Sequence, residues 1–455
     1  MMRRHAPLTI LLLAVFLAMG VTLGHGSGSA SETAQETHDH AHHDDHEHDH
    51  GHEHDHEHEH DHGHDHEHEH EHEHEHDHDH EHDHGHDHGH GHGGLEGVRL
   101  LVASLDGPEL IVLDADDGHV LGRFTTPGPG RVYQLPNPQL AGVVHRDANR
   151  VSFVHSGLTA VDHGDHMDLL MGSPYVLKTV NLGPLPAHFF ARGNDIAVYL
   201  DGDGTMAWLD ARLLGISLDF VDVPGFGADH GALAVVDGHL IGGGLNEAAV
   251  RVYDRQGTNL AAFEGCPRLH GQAVRGNAVA FGCSDGVLLV DSVGGGVFTS
   301  HKIANPPGSP ENARVGTLVG HDGSPVLAGN FGQGIALIDP AARTLTPVAL
   351  PAAPAGMRFA DHGKKLLVLT LDGFLHALDA ATGALLGSVE VLDPWVQGAP
   401  RPSFTHLGDH AFVVDPAHDA VWVIDLDHLE VATHYDLPFT PGSAAVLAIP
   451  GAVLH

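Results

Sequence analysis

The feature that most constrains the fold is an apolar strand ending in aspartate that recurs along the chain. Seven copies end at Asp114, Asp210, Asp254, Asp291, Asp339, Asp379 and Asp425. An eighth copy ends at His155, where the others have aspartate. Across the eight copies the step averages about 44 residues, which is typical of propeller blades. The repeat therefore predicts a β-propeller.

Each repeat has the pattern of four short antiparallel strands. In the repeat that begins at His270, apolar strands at Ala278–Cys283 and Val287–Asp291 are separated by turns rich in Gly, Asn and Asp. Such alternation is typical of hairpins, and four antiparallel strands make one blade. We predict an all-β, eight-bladed β-propeller over residues 95–455, with seven blades if one repeat is irregular.

The two ends of the propeller are expected to meet. The segment before Val98 cannot supply a strand, whereas the C-terminal run Ser443–Ile449 can. Pairing this last strand with the first blade would close the ring and remove free sheet edges.

Residues 38–92 consist almost entirely of histidine and acid, with 28 His and 21 Asp or Glu in 55 residues. From His46 onward, through His48 and His50, every second residue is histidine. Imidazole and carboxylate are both good ligands for divalent metals. We predict a disordered metal-binding segment over residues 31–94. A solubilising acidic tail is the alternative, but it would not require histidine.

The N-terminus has the pattern of a secretory signal over residues 1–30. Arg3 and Arg4 precede an apolar run at Leu8–Val21, followed by small residues. The apolar run is short for a membrane span, so no membrane anchor is expected. A formal net charge of −40 leaves no basic patch for nucleic acid. We expect an exported monomer.

The only two cysteines are Cys266 and Cys283. In an exported protein such a pair favours a disulfide. The alternative is that both ligate a metal as thiolates.

Three histidines outside the tract occupy equivalent places in consecutive repeats. His188, His230 and His270 stand 21 to 24 residues before the aspartates that end their repeats. That place is the start of the innermost strand, which lines the channel of a propeller. Together with Asp229 or a water, three imidazoles would complete a tetrahedral zinc shell. The alternative is a hydrogen-bonding ring that satisfies buried strand ends.

A second candidate site lies in an insertion that we expect between the second and third blades. The segment Asp162–Asp168 includes His163, Asp165 and His166, and we count His155 among the candidate ligands. Strand direction predicts that this loop leaves the face opposite the inner-strand starts, unless it folds across the channel. A merely polar loop is the alternative.

Three segments resemble the AztD family of periplasmic zinc metallochaperones: Asp162–His166, Cys266–Ala273 and Phe281–Gly286. The resemblance extends over most of residues 95–455. It implies a periplasmic propeller that holds zinc and passes it to the solute-binding protein of a zinc ABC transporter, assisted by a His-rich N-terminal segment.

Two other classes of function compete with this one. A metal held by three histidines with an open position would suit a hydrolase, and some exported propellers are quinoprotein oxidoreductases. However, the sequence has no nucleophile elbow, no recognisable pair of catalytic carboxylates and few aromatic residues, so we do not expect an enzyme. The third class is an interaction scaffold whose tract only buffers metal.

Overall fold

The computed structural model describes residues 94–310 and 313–453, and this part of the chain is almost entirely β. Two short 3-10 helices, Ala211–Leu213 and Asp361–Gly363, are the exceptions. No helix in these ranges is long and apolar enough to cross a membrane. The predicted signal and the tract, with His46, His48 and His50, lie outside the described residues.

The strands of the first four blades, with one inserted hairpin, are β1 (Arg99–Ser104), β2 (Glu109–Asp114), β3 (Val120–Thr125), β4 (Arg131–Gln134), β5 (Leu140–His145), β6 (Arg150–His155), β7 (Leu158–Asp162), β8 (Met167–Met171), β9 (Tyr175–Val180), β10 (Pro186–Arg192), β11 (Asp195–Leu200), β12 (Met206–Asp210), β13 (Phe220–Val223), β14 (Gly231–Val236), β15 (His239–Gly244), β16 (Ala249–Tyr253) and β17 (Asn259–Glu264).

The remaining strands are β18 (Gln272–Arg275), β19 (Ala278–Cys283), β20 (Gly286–Gly294), β21 (Val297–Ala304), β22 (Val315–Val319), β23 (Leu327–Phe331), β24 (Gly334–Asp339), β25 (Thr344–Val348), β26 (Pro354–Ala360), β27 (Lys365–Thr370), β28 (Phe374–Asp379), β29 (Leu385–Glu390), β30 (Ser403–Leu407), β31 (His410–Asp415), β32 (Ala420–Asp425), β33 (Glu430–Asp436), β34 (Pro441–Leu447) and β35 (Ala452–Val453).

Eight four-stranded antiparallel sheets form the blades, so the prediction of an all-β, eight-bladed propeller is confirmed. The first blade has the order β3-β2-β1-β34. Its innermost strand therefore comes from the far end of the described chain, with Leu447 opposite Arg99 and Ser443 opposite Ala103. This pairing closes the ring. Strands β4, β10, β14, β18, β22, β26 and β30 are the inner strands of the other seven blades.

In six of the seven copies the recurring aspartate stands at or just after the end of the third strand of a blade, where its carboxylate caps the following turn; Asp291 instead lies inside β20. Asp425, for example, accepts backbone N–H bonds from Asp427 at 2.8 Å and His428 at 2.9 Å. The same kind of contact occurs at Asp114, Asp210, Asp254, Asp339 and Asp379. In the second blade His155 replaces the aspartate, and its Nδ1 accepts from the N–H of Gly157 at 2.8 Å. Local turn chemistry thus explains the repeat.

The hydrophobic core is divided among the interfaces between blades. Eight clusters of buried apolar side chains occur in the described chain, one for each pair of neighbouring blades. Between the last and first blades, for instance, Phe412 and Val421 pack with Leu100 and Val446. Burial of apolar surface between neighbours therefore stabilises every blade, and closure of the ring leaves no blade with an uncovered face.

The insertion lies inside the second blade, so our placement between the second and third blades was wrong. Strands β7 and β8 form a hairpin after β6, and β9 then returns to pair with β6 as the fourth strand of the blade. The insertion therefore separates β6 and β9, the third and fourth strands of the second blade, along the chain. The short strand β35 adds in parallel to β8, which makes a three-stranded sheet.

Candidate metal centre

The three channel histidines come from neighbouring inner strands. His188 lies in β10, His230 immediately precedes β14, and His270 lies two residues before β18. One nitrogen from each ring lies within 4.8 Å of the other two, and the Nε2 atoms of His188 and His230 are 3.0 Å apart. The structure therefore brings together three histidines that are distant in sequence.

Two of these rings are held from behind by hydrogen bonds to Nδ1. His230 Nδ1 lies 2.8 Å from Oδ2 of Asp201, which is also paired with Nη1 of Arg146 at 2.8 Å. His270 Nδ1 lies 2.6 Å from the carbonyl oxygen of Gly316. A carbonyl can only accept, so Nδ1 of His270 carries the proton and its Nε2 has the free lone pair. Such outer partners orient metal-binding imidazoles and fix their tautomer.

The surroundings of His188 and His270 favour the neutral imidazole, which is the form that binds a metal. Burial, together with the like charges of His230, His270 and Arg131, lowers the pKa of His188 to about 3. Burial also lowers the pKa of His270, against the opposing effect of the Gly316 carbonyl. A metal ion competes with protons for the lone pair of an imidazole. The lowered pKa values of His188 and His270 therefore favour coordination of a metal ion.

Asp201 is a site residue that our sequence reasoning missed. Burial opposes its ionisation, but the hydrogen bond and charge of His230, together with Arg146, outweigh burial and lower the pKa of Asp201. A topological signal pointed to it: β11 runs antiparallel to β10, with Leu200 opposite Pro186. The residue that follows β11 must therefore lie beside the start of the inner strand.

Asp229, which we expected beside the histidines as a ligand, has a different set of contacts. Its Oδ1 accepts from the backbone N–H of His230 and the side-chain amide of Asn246, and its Oδ2 accepts from the Asn246 N–H, all within 2.9 Å. In the described chain, the side chains close enough to bind one ion at this place are the three histidines. Three nitrogens suit zinc and leave a fourth tetrahedral position open.

The hairpin carries the second set of predicted ligands at its tip. His163 Nε2 and His166 Nε2 lie 2.9 and 3.0 Å from the two oxygens of Asp168, and the imidazole rings stack with centroids 5.6 Å apart. Asp165 pairs with Nδ1 of His166 at 2.8 Å. His163, His166 and Asp168 thus converge on a mostly exposed tip, with Asp165 behind one ring.

His155 is not part of either group. It lies at the opposite end of the hairpin from the tip, caps the turn after β6, and stacks on Tyr175 with centroids 4.9 Å apart. Its role in the structure is the one that aspartate has in other blades.

A third group, missed by sequence reasoning, lies on the turn after β32. Asp425, His428 and Glu430 are near enough to share an ion, but they are largely exposed. His428 Nδ1 already pairs with Asp425 at 2.8 Å, and Asp425 caps the turn. The arrangement is explained by the turn alone.

The two cysteines form a disulfide, with their Cα atoms 5.0 Å apart. This bond links the segment before β18 to the end of β19. Next to it, the N–H of His270 donates to the carbonyl of Gly282 at 2.9 Å, and the N–H of Ser284 donates to Pro267 at 2.9 Å. The disulfide therefore anchors the short arm that carries His270.

Comparison with known proteins identifies a relative over most of the chain. No family model matches. The zinc chaperone AztD of Citrobacter koseri is 28% identical over 348 residues, covering 72% of this chain and 81% of the relative. A crystal structure of the same AztD superimposes with a TM-score of 0.72 at 26% identity, covering 78% of this chain and 99% of that one. The resemblance to AztD is confirmed.

Other solved structures share the fold. Apo AztD from C. koseri matches with a TM-score of 0.71, 26% identity and coverage of 78% of this chain and 99% of that one. The dihydro-heme d1 dehydrogenase NirN matches with a TM-score of 0.53 at only 15% identity, covering 77% of this chain and 75% of that one. The likeness to NirN shows a common propeller fold and no more.

Proposed function

We propose that this protein is a periplasmic zinc chaperone that holds zinc at His188, His230 and His270. It would pass the ion to the solute-binding protein of a zinc ABC transporter. The convergence of the three imidazoles in the channel is the single observation that carries the proposal. The similarity to AztD, a zinc chaperone, supports it.

The relation to a chaperone also bears on the other functional classes. AztD is a zinc chaperone and the match covers most of both chains, which supports a non-enzymatic role for this chain. Export to the periplasm is supported by the predicted signal and by the disulfide, since disulfides persist in oxidising compartments.

The geometry suits tight but reversible binding. The rings of His230 and His270 are already oriented, so little ordering is required when the ion arrives. The histidines line a cavity of about 770 Å³ that opens to the channel, which leaves the ion accessible to a partner. Transfer would proceed by exchange of one protein ligand for one partner ligand at a time.

The hairpin would provide a second, weaker zinc site through His163, His166 and Asp168. Its ligands lie at a projecting tip, where exchange with solvent is fast. The acidic histidine tract, including His46, His48 and His50, would capture zinc with high capacity and raise its local concentration near the fixed sites.

Competitive transfer tests the function. The zinc-loaded protein is mixed with the solute-binding protein of a zinc ABC transporter, and the rate of zinc arrival is compared with the rate of release to a small chelator. Transfer should be faster than release, because ligand exchange avoids a free ion. His230→Ala should abolish the fast phase.

His119→Ala is the matched control, because His119 is an exposed histidine on the outer part of the first blade. It should transfer zinc like the wild type. Equal rates of arrival at the partner and at the chelator would contradict direct delivery.

A further inference from the structure

We propose that the channel beside the three histidines contains a carboxylate-binding subsite formed by Arg131 and Arg358. Its ligand would be a small polycarboxylate anion that also supplies the fourth ligand to the bound zinc. The second part rests on the proposed function, whereas anion binding by the arginines does not.

The two arginines and the three histidines line the same cavity. Arg131 begins β4, the inner strand of the second blade, and Arg358 lies in β26, the inner strand of the seventh. Both border the cavity that contains His188, His230 and His270. Arg131 is close enough to His188 for its charge to lower the pKa of that ring.

Neither arginine has an acidic partner. Within residues 94–310 and 313–453, no carboxylate lies within ion-pair distance of Arg131 or Arg358. Arg131 has only the face of the Tyr133 ring, 5.6 Å away. Arg358 donates to the carbonyl of its neighbour Met357 at 2.9 Å and lies over the ring of Phe404. Arg146 in the same cavity differs, because Asp201 neutralises it.

Two neighbouring arginines without acidic partners are unexpected in such an acidic chain. The protein carries 61 acids against 21 Lys and Arg, so acidic partners were abundant. Arg358 lies deep in the molecule, yet both arginine side chains are accessible from the channel. The depth of Arg358 and the like charge of Arg131 lower the pKa of Arg358. Two guanidinium groups that line the same cavity repel each other, and an anion bound between them would offset this repulsion.

The chemistry of the two groups selects a carboxylate. Guanidinium binds planar carboxylates through two parallel hydrogen bonds. The histidine cluster has three nitrogens and no carboxylate of its own, which leaves one tetrahedral position for an external oxygen. A polycarboxylate can fill that position with one group while the arginines hold another. Its negative charge also offsets that of the cation.

Citrate binding to the metal-free, full-length protein tests the arginine subsite. Calorimetry should detect binding to the wild type, and Arg131→Gln with Arg358→Gln should weaken it about tenfold or more per arginine, the scale of a charge-assisted hydrogen bond. Arg123→Gln, on the outer strand β3, is the matched control and should leave citrate affinity unchanged. Equal affinity in the double variant and the wild type would overturn the proposal, as would tighter binding of inorganic phosphate than of citrate.

Cobalt(II) absorption tests the shared ion. The absorption band of the channel site is the one that disappears in His230→Ala. This difference separates it from absorption by cobalt bound to the tract. Citrate should shift this band in the wild type and not in the double arginine variant, whose melting temperature verifies folding. If the band is absent altogether while citrate still binds, the proposed zinc function fails but the arginine subsite stands. An unshifted band with bound citrate rejects the shared ligand.

If the double variant does not fold, Arg131→Lys with Arg358→Lys keeps the charge and removes the paired hydrogen bonds. This variant should bind citrate more weakly than the wild type. Wild-type affinity would then contradict recognition by the guanidinium fork.

Discussion

The channel cluster and the hairpin tip are both built from histidine and aspartate, but they are assembled in different ways. In the channel, His188, His230 and His270 come from three blades, are partly buried and face one another. At the tip, His163 and His166 are three residues apart and lie largely in solvent, paired with Asp168. The ring fixes the first group, whereas a single turn holds the second.

From this difference we predict that the sparse, periodic histidines form the tighter site and that the dense local motif forms the weaker one. Rigid surroundings reduce the ordering cost of binding, and exclusion of water strengthens the contacts between ligand and ion. The channel histidines are held on neighbouring inner strands and are partly buried, whereas the tip histidines lie on one exposed turn. The following predictions test whether zinc affinity follows the same ranking.

The largest effect is expected from removing one ligand in each place. His230→Ala should lower the affinity of the channel for zinc by more than the roughly 10–100-fold that outer partners contribute. His166→Ala should leave the tightest zinc in place. Equilibrium competition against a chelator of known affinity measures both. If the tightest zinc site disappears in His166→Ala and persists in His230→Ala, the predicted ranking of the two sites is reversed.

The second-largest effect on zinc affinity is expected from the carboxylates that pair with Nδ1 of a histidine. Asp201 and Asp165 each pair with Nδ1 of a histidine at 2.8 Å, but the side chain of Asp201 is only 8% exposed and that of Asp165 is 86% exposed. Asp201→Asn should cost about 10–100-fold in zinc affinity. Asp165→Asn should cost less, because water competes for the exposed pair. Equal losses would show that burial does not strengthen the channel site.

The pH dependence should separate the channel from solvated histidines. A pKa lowered to about 3 means that His188 remains an unprotonated ligand as the pH falls through the range in which free imidazole takes up protons. Zinc in the channel should therefore be released at a lower pH than zinc held by solvated imidazoles. Metal content after dialysis at stepped pH measures this. Loss of all zinc near pH 6.5 would contradict it.

Much of the fold could be predicted because the repeat has a local cause. A carboxylate that caps the turn after the third strand of six blades, as Asp425 does, marks the period directly in the sequence. The position of the hairpin could not be predicted, since nothing local shows that β9 pairs back to β6 across the insertion. The convergence of the histidines followed from their register in the repeats. Their carboxylate partner did not follow from the sequence, because Asp229 adjoins His230 along the chain while Asp201 lies 29 residues before it. Only the pairing of β10 with β11 brings Asp201 to the start of an inner strand.

The smallest effect should come from Asp229, and it sharpens the assignment of Asp201. Its oxygens are occupied by the N–H of His230 and by Asn246, so it stabilises the turn before β14 without reaching the ion site. Asp229→Asn should change zinc affinity by only a few-fold, the scale expected when one hydrogen bond behind a loop is weakened. Measured beside Asp201→Asn in the same competition assay, it compares two aspartates of the same channel. A larger loss for Asp229 would mean that its carboxylate swings onto the metal, and the histidines would then not be the whole of the protein's ligand set.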